Sequence, residues 1–392
     1  MNILIISYTD LHYDPRVLRQ IQALKNEYQL FTIGNTPSGY PGIIHYNTNE
    51  PKPEKERSFL QKVSRRLSIY KYIFKNYNGF FSRILAKKNN IKYILSLSII
   101  KPDIIIANES SALYLATELK RTNNWDSKIY FDAHEYTPKE DNTIIWRLFH
   151  EPFILKELKT CKYSISMMST VSDGIAREYE KLFDFPFGYV KIITNAPEYH
   201  GNLLPNNINS KIRLIHHGSA TRPRRLDLLI KMMGYLDPEK YELTLMLVRT
   251  DPDYHNYIVN KSKKMKNIKF IEPVKISEIV NTLNNYDIGV FLLLPVIFNH
   301  KYSLPNKLFE YIQARLAIAI GPSIEMVKIV NKYNLGVHSE DFSPKSLANC
   351  IAQLTPEKIM EYKKNSDKSA MELSADKVFT DIKTIIAELA NT

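Results

Sequence analysis

Short, mostly apolar runs return along this chain, and those of the first half are mostly hydrophobic on both faces. A strand that alternates apolar and polar residues can leave one face in water, but a run apolar at every position must be covered on both sides. That is the condition of a parallel strand under helices. Six such runs fall in the first half, at 2–8, 28–33, 103–108, 128–133, 164–171 and 190–195. Six more fall in the second half, at 211–217, 242–249, 268–272, 287–294, 317–321 and 335–338, and segments of helical period lie between them. The pattern predicts an α/β chain of two doubly wound parallel-sheet units. Residues 195–209, polar and rich in turn formers, read as the link between them.

Length agrees with two units, because 392 residues exceed one ordinary core. We place the boundaries at 1–200 and 201–375, with 376–392 as a terminal helix. The net charge of +12 is uneven: Arg57 to Lys92 holds ten Lys or Arg and no Asp or Glu, which leaves +2 for the rest. A chain-wide nucleic-acid footprint is therefore excluded and a local basic face expected. Cys161 and Cys350 show neither disulfide nor metal-ligand spacing and read as small buried hydrophobes of a reducing compartment. MNILIISY lacks a basic flank and reads as a first strand, not a signal peptide. No run reaches the length of a membrane span.

Open parallel sheets bind ligands beyond the carboxyl ends of their strands, so the loops there are where chemistry is sought. In Ser303 to Ile320, SLPNKLFEYIQARLAIAI, the spacing of Leu308, Phe309, Ile312 and Leu316 predicts a helix from Asn306, with Asn306 as its N-cap. Leu304, Pro305, Asn306 and Lys307 then present free amides and a full positive charge, which suit a diphosphate. Glu310, one turn on, is placed to accept two hydroxyls, as a ribose would offer. An ordinary crossover helix with a surface Lys and Glu is the competing reading. After 211–217 comes Gly218-Ser219-Ala220-Thr221-Arg222-Pro223-Arg224-Arg225, a glycine turn and three arginines at a helix start. It reads as a phosphate loop or as a solvated basic loop. His134 ends a first-half run with Glu135 beside it, and Pro138 stands where a zinc helix needs its second histidine. Asp14 precedes Pro15 and reads first as a helix cap. Asp251-Pro252-Asp253 reads as a cap too, and no metal site is expected. The chain has no Gly-x-Ser-x-Gly elbow, no Walker loop and no G-x-G-x-x-G after its first run. Hydrolase, P-loop ATPase and dinucleotide readings lose their usual support.

Several motifs, in order, resemble the retaining nucleotide-sugar-dependent glycosyltransferases of the GT-B fold that build bacterial surface polysaccharides. They are DPRV at 14–17, DAHE at 132–135, TVSDGIAREY at 170–179, TNAP at 194–197, the arginine loop, and PNKLFEY at 305–311. The resemblance implies two Rossmann-like domains facing a cleft, with the donor on the second domain and the last helix crossing back to the first. It implies that Glu310 binds the donor ribose, and that Gly218, Ser219, Arg222, Arg224 and Lys307 surround the donor phosphates. It also implies that His134 acts at the reacting centre, with Asp14, Arg16 and Glu135 toward the acceptor. Many members carry a second glutamate eight positions before the first; here that position is Tyr302. The implied reaction moves a sugar from a nucleoside diphosphate to a growing, lipid-linked glycan with retention, and needs no metal and no other cofactor. Alternatives are a nucleotide-sugar epimerase of the same fold or a non-catalytic sugar- or lipid-binding partner.

Within 57–92, Leu60, Val63, Leu67, Tyr70, Phe74, Tyr77, Phe81 and Ile84 recur at helical steps, and Asn78-Gly79 divides the stretch into two helices. The stripe either packs on the first domain or lies against an anionic membrane surface; we expect a buried stripe whose basic rim attaches reversibly. That places the chain in the cytoplasm, peripheral on the inner face of the cytoplasmic membrane.

Overall fold

The computed structural model describes residues 1–48 and 87–391, so most of the basic segment 57–92 lies outside the described residues. The chain divides into two compact units. One comprises Met1–Thr170, Ile175–Ile192 and Phe379–Thr392; the other comprises Val171–Gly174 and Ile193–Val378.

The first unit holds a seven-stranded parallel sheet. Its strands in chain order are β1 (Asn2–Ile6), β2 (Gln29–Gly34), β3 (Ile44–Asn47), β4 (Ile104–Asn108), β5 (Lys128–Asp132), β6 (Ile165–Thr170) and β7 (Lys191–Ile192). In space they run β3-β2-β1-β4-β5-β6-β7. Ile3, Leu4, Ile5 and Ile6 of β1 are all fully buried, which is the two-sided covering their sequence demanded. The main covering helices are α1 (Pro15–Leu24), α2 (residues 87–95), α3 (Glu109–Thr122), α4 (Glu151–Cys161) and α5 (Asp173–Phe183). The terminal helix α14 (Ala375–Ala390) groups with this unit from Phe379 on, and its Lys383 pairs with Glu27 at the end of the α1 hairpin, 2.5 Å apart.

The second unit repeats the plan with six parallel strands in the order β10-β9-β8-β11-β12-β13. These are β8 (Ile212–Ser219), β9 (Tyr241–Val248), β10 (Ile268–Ile271), β11 (Ile288–Phe291), β12 (Ala317–Ile320) and β13 (Gly336–His338). Its main helices are α6 (Asp227–Met233), α7 (Pro252–Ser262), α8 (Ile279–Leu283), α9 (Phe298–Lys301), α10 (Asn306–Gln313), α11 (Ile324–Lys332), α12 (Pro344–Ala352) and α13 (Pro356–Ser369). Leu308, Phe309 and Ile312 bury one face of α10, which fixes the helix in rotation and leaves Lys307 and Glu310 turned another way. Truncating Phe309 to Ala removes contacts worth about 3–5 kcal/mol. Gly289 of β11 lacks a side chain for a steric reason: a Cβ there would sit 2.4 Å from the Tyr311 ring of α10.

All twelve expected runs contain strands, with three differences in detail. The run 190–195 shrinks to two residues, because β7 is an edge with one neighbour and pairs only at Lys191 and Ile192. The run 287–294 stops pairing at Phe291; Leu292 and Leu293 are buried without a ladder ahead of Pro295. Strand β3 was not expected, since IHYN is short and half polar and lies on the sheet margin. Residues 193–211 contain no strand or helix and group with the second unit.

Candidate active site

In each sheet the chain winds one way from the first strand and then returns to its other side, so two loops diverge above a pair of neighbouring strands. Ligands of such sheets bind at this switch point. In the second unit it lies between β8 and β11, and the loop after β8 begins at Gly218. Gly218 adopts φ +118°, and a Cβ there would lie 3.2 Å from Lys307 Nζ. The glycine thus gives the backbone a shape that other residues resist and admits the lysine. Lys307 also lies over the Phe291 ring, Nζ 4.6 Å from its centroid. Burial, with Arg224 nearby, pushes the Lys307 ammonium down to about 7 despite the opposing charge of Glu310.

The first turn of α10 differs from expectation in one respect. Pro305, not Asn306, occupies the cap position, and no side chain caps the helix. Asn306 is the first helical residue and is exposed, so the amide end is left for another acceptor. Three residues on from Lys307, Glu310 points the same way, its Oε2 3.2 Å from Nε2 of His217 in β8. His216, the neighbour of His217, donates from Nδ1 to the Val290 carbonyl, 2.9 Å away, and burial pushes its imidazole well below the usual range. The arginines divide. Arg222 is exposed and lies 3.4 Å from Asp251, Arg225 pairs with Asp227 at 3.0 Å in a left-handed conformation, and the charge of Arg224 acts on Lys307. Ser219, the last residue of β8, is exposed beside them. Asp251 caps α7 by accepting from Tyr254 N at 3.0 Å. Tyr302 ends α9, and its backbone carbonyl accepts from Ser172 Oγ at 2.7 Å.

In the first unit the switch point lies between β1 and β4. Asp14 caps α1, accepting from Arg16 N at 3.0 Å and Val17 N at 3.3 Å. Arg16 was expected toward an acceptor, but it is 5 % exposed and turned inward, where it donates to both carboxylate oxygens of Asp132 at 2.7 and 2.5 Å. Gln20 and Ser169 donate to the same carboxylate at 2.7 and 2.5 Å. Burial alone would raise Asp132; the charge and hydrogen bonds of Arg16 hold it below the usual carboxylate range. His134 follows at the end of β5, with Nε2 3.3 Å from Asn108 Oδ1. Burial and Arg16 depress the imidazole, so it is neutral at pH 7. Glu135 is exposed, and its carbonyl accepts from the buried Tyr179 hydroxyl at 2.9 Å.

Two residues that the sequence did not single out join these groups. Glu109, the residue after β4, holds φ +69°, a strained value for a non-glycine residue. Its Oε1 accepts from His134 N at 3.2 Å and lies 3.4 Å from His134 Nδ1, while Oε2 accepts from Thr137 Oγ1 at 3.3 Å. Crowding by the protein, then by Glu135, Asp132 and Glu140, pushes this carboxyl up to about 8. A carboxyl shifted in that direction keeps its proton to higher pH than a free glutamate. The other is His217, visible in the sequence only as the second histidine at the end of KIRLIHH.

The chain matches no protein-family model and no curated protein sequence. Solved structures do match over its whole length. A glycosyltransferase from Rickettsia africae superposes with a TM-score of 0.64 at 14 % identity, covering 99 % of this chain and 98 % of that one. Anabaena HepE in complex with UDP reaches 0.70 at 10 % identity over 99 % and 100 %. Sucrose-phosphate synthase from Thermosynechococcus elongatus reaches 0.70 at 11 % over 100 % and 99 %. The fold is GT-B. Within this GT-B chain the second unit gathers Gly218, Arg224, Lys307, Glu310 and His217 at its switch point, and the first gathers His134 and Glu109 at its own. Arg16 and Asp14 are spent on internal structure. Among the described residues, no group of three or more His, Cys, Asp or Glu is placed to hold a metal ion, and no helix is long and apolar enough to cross a membrane. Both cysteines are free; Cys350 is half-buried where full burial was expected.

Proposed function

We propose that this GT-B chain is a retaining glycosyltransferase, moving a sugar from a nucleoside-diphosphate sugar to a growing, lipid-linked bacterial surface glycan. The observation that carries the reading is the pairing of Lys307 and Glu310 on one face of α10, against Gly218 and His217 at the switch point of the second unit. One end of this arrangement suits phosphate, with a lysine, the arginine loop and uncapped helix amides; the other suits hydroxyls, with a carboxylate. That HepE and this chain share a fold, and that HepE has been seen with UDP and with UDP-glucose, supports a uridine donor as the first to try.

In the proposed reaction the diphosphate departs from the face on which the acceptor arrives. The bond from the sugar to the phosphate oxygen breaks, that oxygen takes the acceptor's hydroxyl proton, and the acceptor oxygen bonds the sugar on the same face. Lys307, Arg222, Arg224 and the amides of α10 stabilise the charge that develops on the diphosphate. In the first unit, neutral His134 and the Glu109 acid offer hydrogen bonds to hydroxyls. With these cations at the phosphates we take transfer to be metal-independent. A second reading, a soluble sugar as acceptor, is favoured by the likeness to sucrose-phosphate synthase.

Thermal shift against UDP, GDP, ADP and their sugars tests the donor, because a ligand that binds only the folded chain raises its melting temperature. At least one diphosphate is expected to do so; no shift with any of them would remove the reading. Transfer by the donor so found is expected to persist in EDTA, and loss that magnesium or manganese restores would show that the cations named do not suffice.

A further inference from the structure

His217 is the group at this site that the fold leaves unsatisfied. It is 5 % exposed, and its Nε2, though 3.2 Å from Glu310 Oε2, is out of line for a hydrogen bond and has no partner. Buried polar atoms are nearly always paired, since burial without a partner forfeits hydration for nothing. The His217 ring has an aromatic neighbour. It packs edge-on against Tyr311, centroids 5.5 Å apart at 79°, and Tyr311 is itself fixed by its hydrogen bond to the Val290 carbonyl at 3.2 Å and by its seat over Gly289.

The charges nearby narrow what could complete it. Beside Gly218, Lys307 is the place for an anion, whereas the Glu310 carboxylate repels phosphate and accepts from neutral donors. The ligand group that meets Glu310 and His217 is therefore an uncharged donor of hydrogen bonds with more than one hydroxyl. A carboxylate accepts from both hydroxyls of a vicinal diol, and a hydroxyl can also accept from, or donate to, an imidazole nitrogen in either tautomer.

We propose that His217 is a second hydroxyl-binding residue of the donor site, its Nε2 and the Glu310 carboxylate together taking the two neighbouring hydroxyls of the donor's ribose. This rests on the donor reading given above and adds to it the residue that would distinguish a ribose from a deoxy sugar. The consequence is specific: His217 acts on ligands that carry the diol and is indifferent to those that lack it.

The test is calorimetric titration of the full chain with UDP and with 2′,3′-dideoxy-UDP, the guanosine and adenosine pairs run in parallel. The proteins are wild type, His217→Phe, which keeps the ring packed on Tyr311, and His217→Gln, which returns a hydrogen-bonding group. Wild type is expected to prefer the ribose form. His217→Phe should weaken that form at least tenfold while leaving the dideoxy form unchanged, and His217→Gln should recover part of the difference. Equal weakening of both forms would show that His217 only shapes the site, and an unchanged preference would show that it does not touch the ligand; either overturns the assignment. Should His217→Phe fail to fold, His217→Gln decides alone: a smaller preference than wild type, lost from the ribose form only, supports the assignment, and an unchanged preference or a weakening shared equally by the two forms overturns it. Wild type that binds none of the diphosphates sinks the donor reading and this assignment together, which separates that failure from a failure of His217 alone.

Discussion

Lys307 and Glu310 show how far single residues could be read. Their type and three-residue spacing behind Pro305 placed a cation and a carboxylate on one helix face, because spacing alone sets the face of a helix. The state of Lys307 was not legible, since it depends on burial and on Arg224, more than eighty positions away in the chain. With its ammonium pushed down to about 7, Lys307 is partly neutral in the empty chain, and an incoming diphosphate restores the proton. Binding should then take up a proton. Affinity should be full below pH 7 and should fall as pH rises, by up to about tenfold per unit, until the pKa of the bound state is reached. Titration calorimetry at pH 8 in buffers of different ionisation heat measures the uptake directly. Lys307→Met should bind more weakly and lose both the uptake and the pH dependence; a wild-type affinity flat from pH 7 to 9 would contradict the assignment. Glu109 was illegible for a different reason: nothing in ANES announces a backbone held at φ +69°.

Among the elements, the run 128–133 and the capped start of α1 were both legible in the sequence, but not that the two meet. Asp132 at the tip of β5 takes both nitrogens of Arg16 from the first turn of α1, with Gln20 one turn further and Ser169 from β6. DPRV, which the resemblance puts toward the acceptor, and DAHE, whose histidine it puts at the reacting centre, are in this chain joined to each other. Removing the carboxylate strands a buried guanidinium, which costs about 3–5 kcal/mol. Asp132→Ala should therefore unfold at a markedly lower urea concentration than wild type. Exposed Glu135→Ala, the neighbouring carboxylate, should change the midpoint little. Equal midpoints for Asp132→Ala and wild type would show that the pair contributes nothing net.

For the whole molecule, the basic segment 57–92 bears on where the chain works. Each Lys or Arg near an anionic surface contributes about 1 kcal/mol, so half of the ten charges suffice for appreciable attachment at low salt. Co-sedimentation should show binding to phosphatidylserine vesicles, none to phosphatidylcholine vesicles, and release as ionic strength rises. Binding to both or to neither would reject a membrane role for the segment. The two doubly wound units follow from the residue pattern, because runs apolar on both faces admit few other arrangements, and so does the set of loops that stand at strand ends. Which of those loops share a switch point, that Arg16 faces inward to Asp132, that Glu109 meets His134, and that His217 meets Glu310 without a bond came from the folded chain. The reason is physical: periodicity records which residues are buried, whereas distances and protonation arise between groups that the chain brings together from far apart.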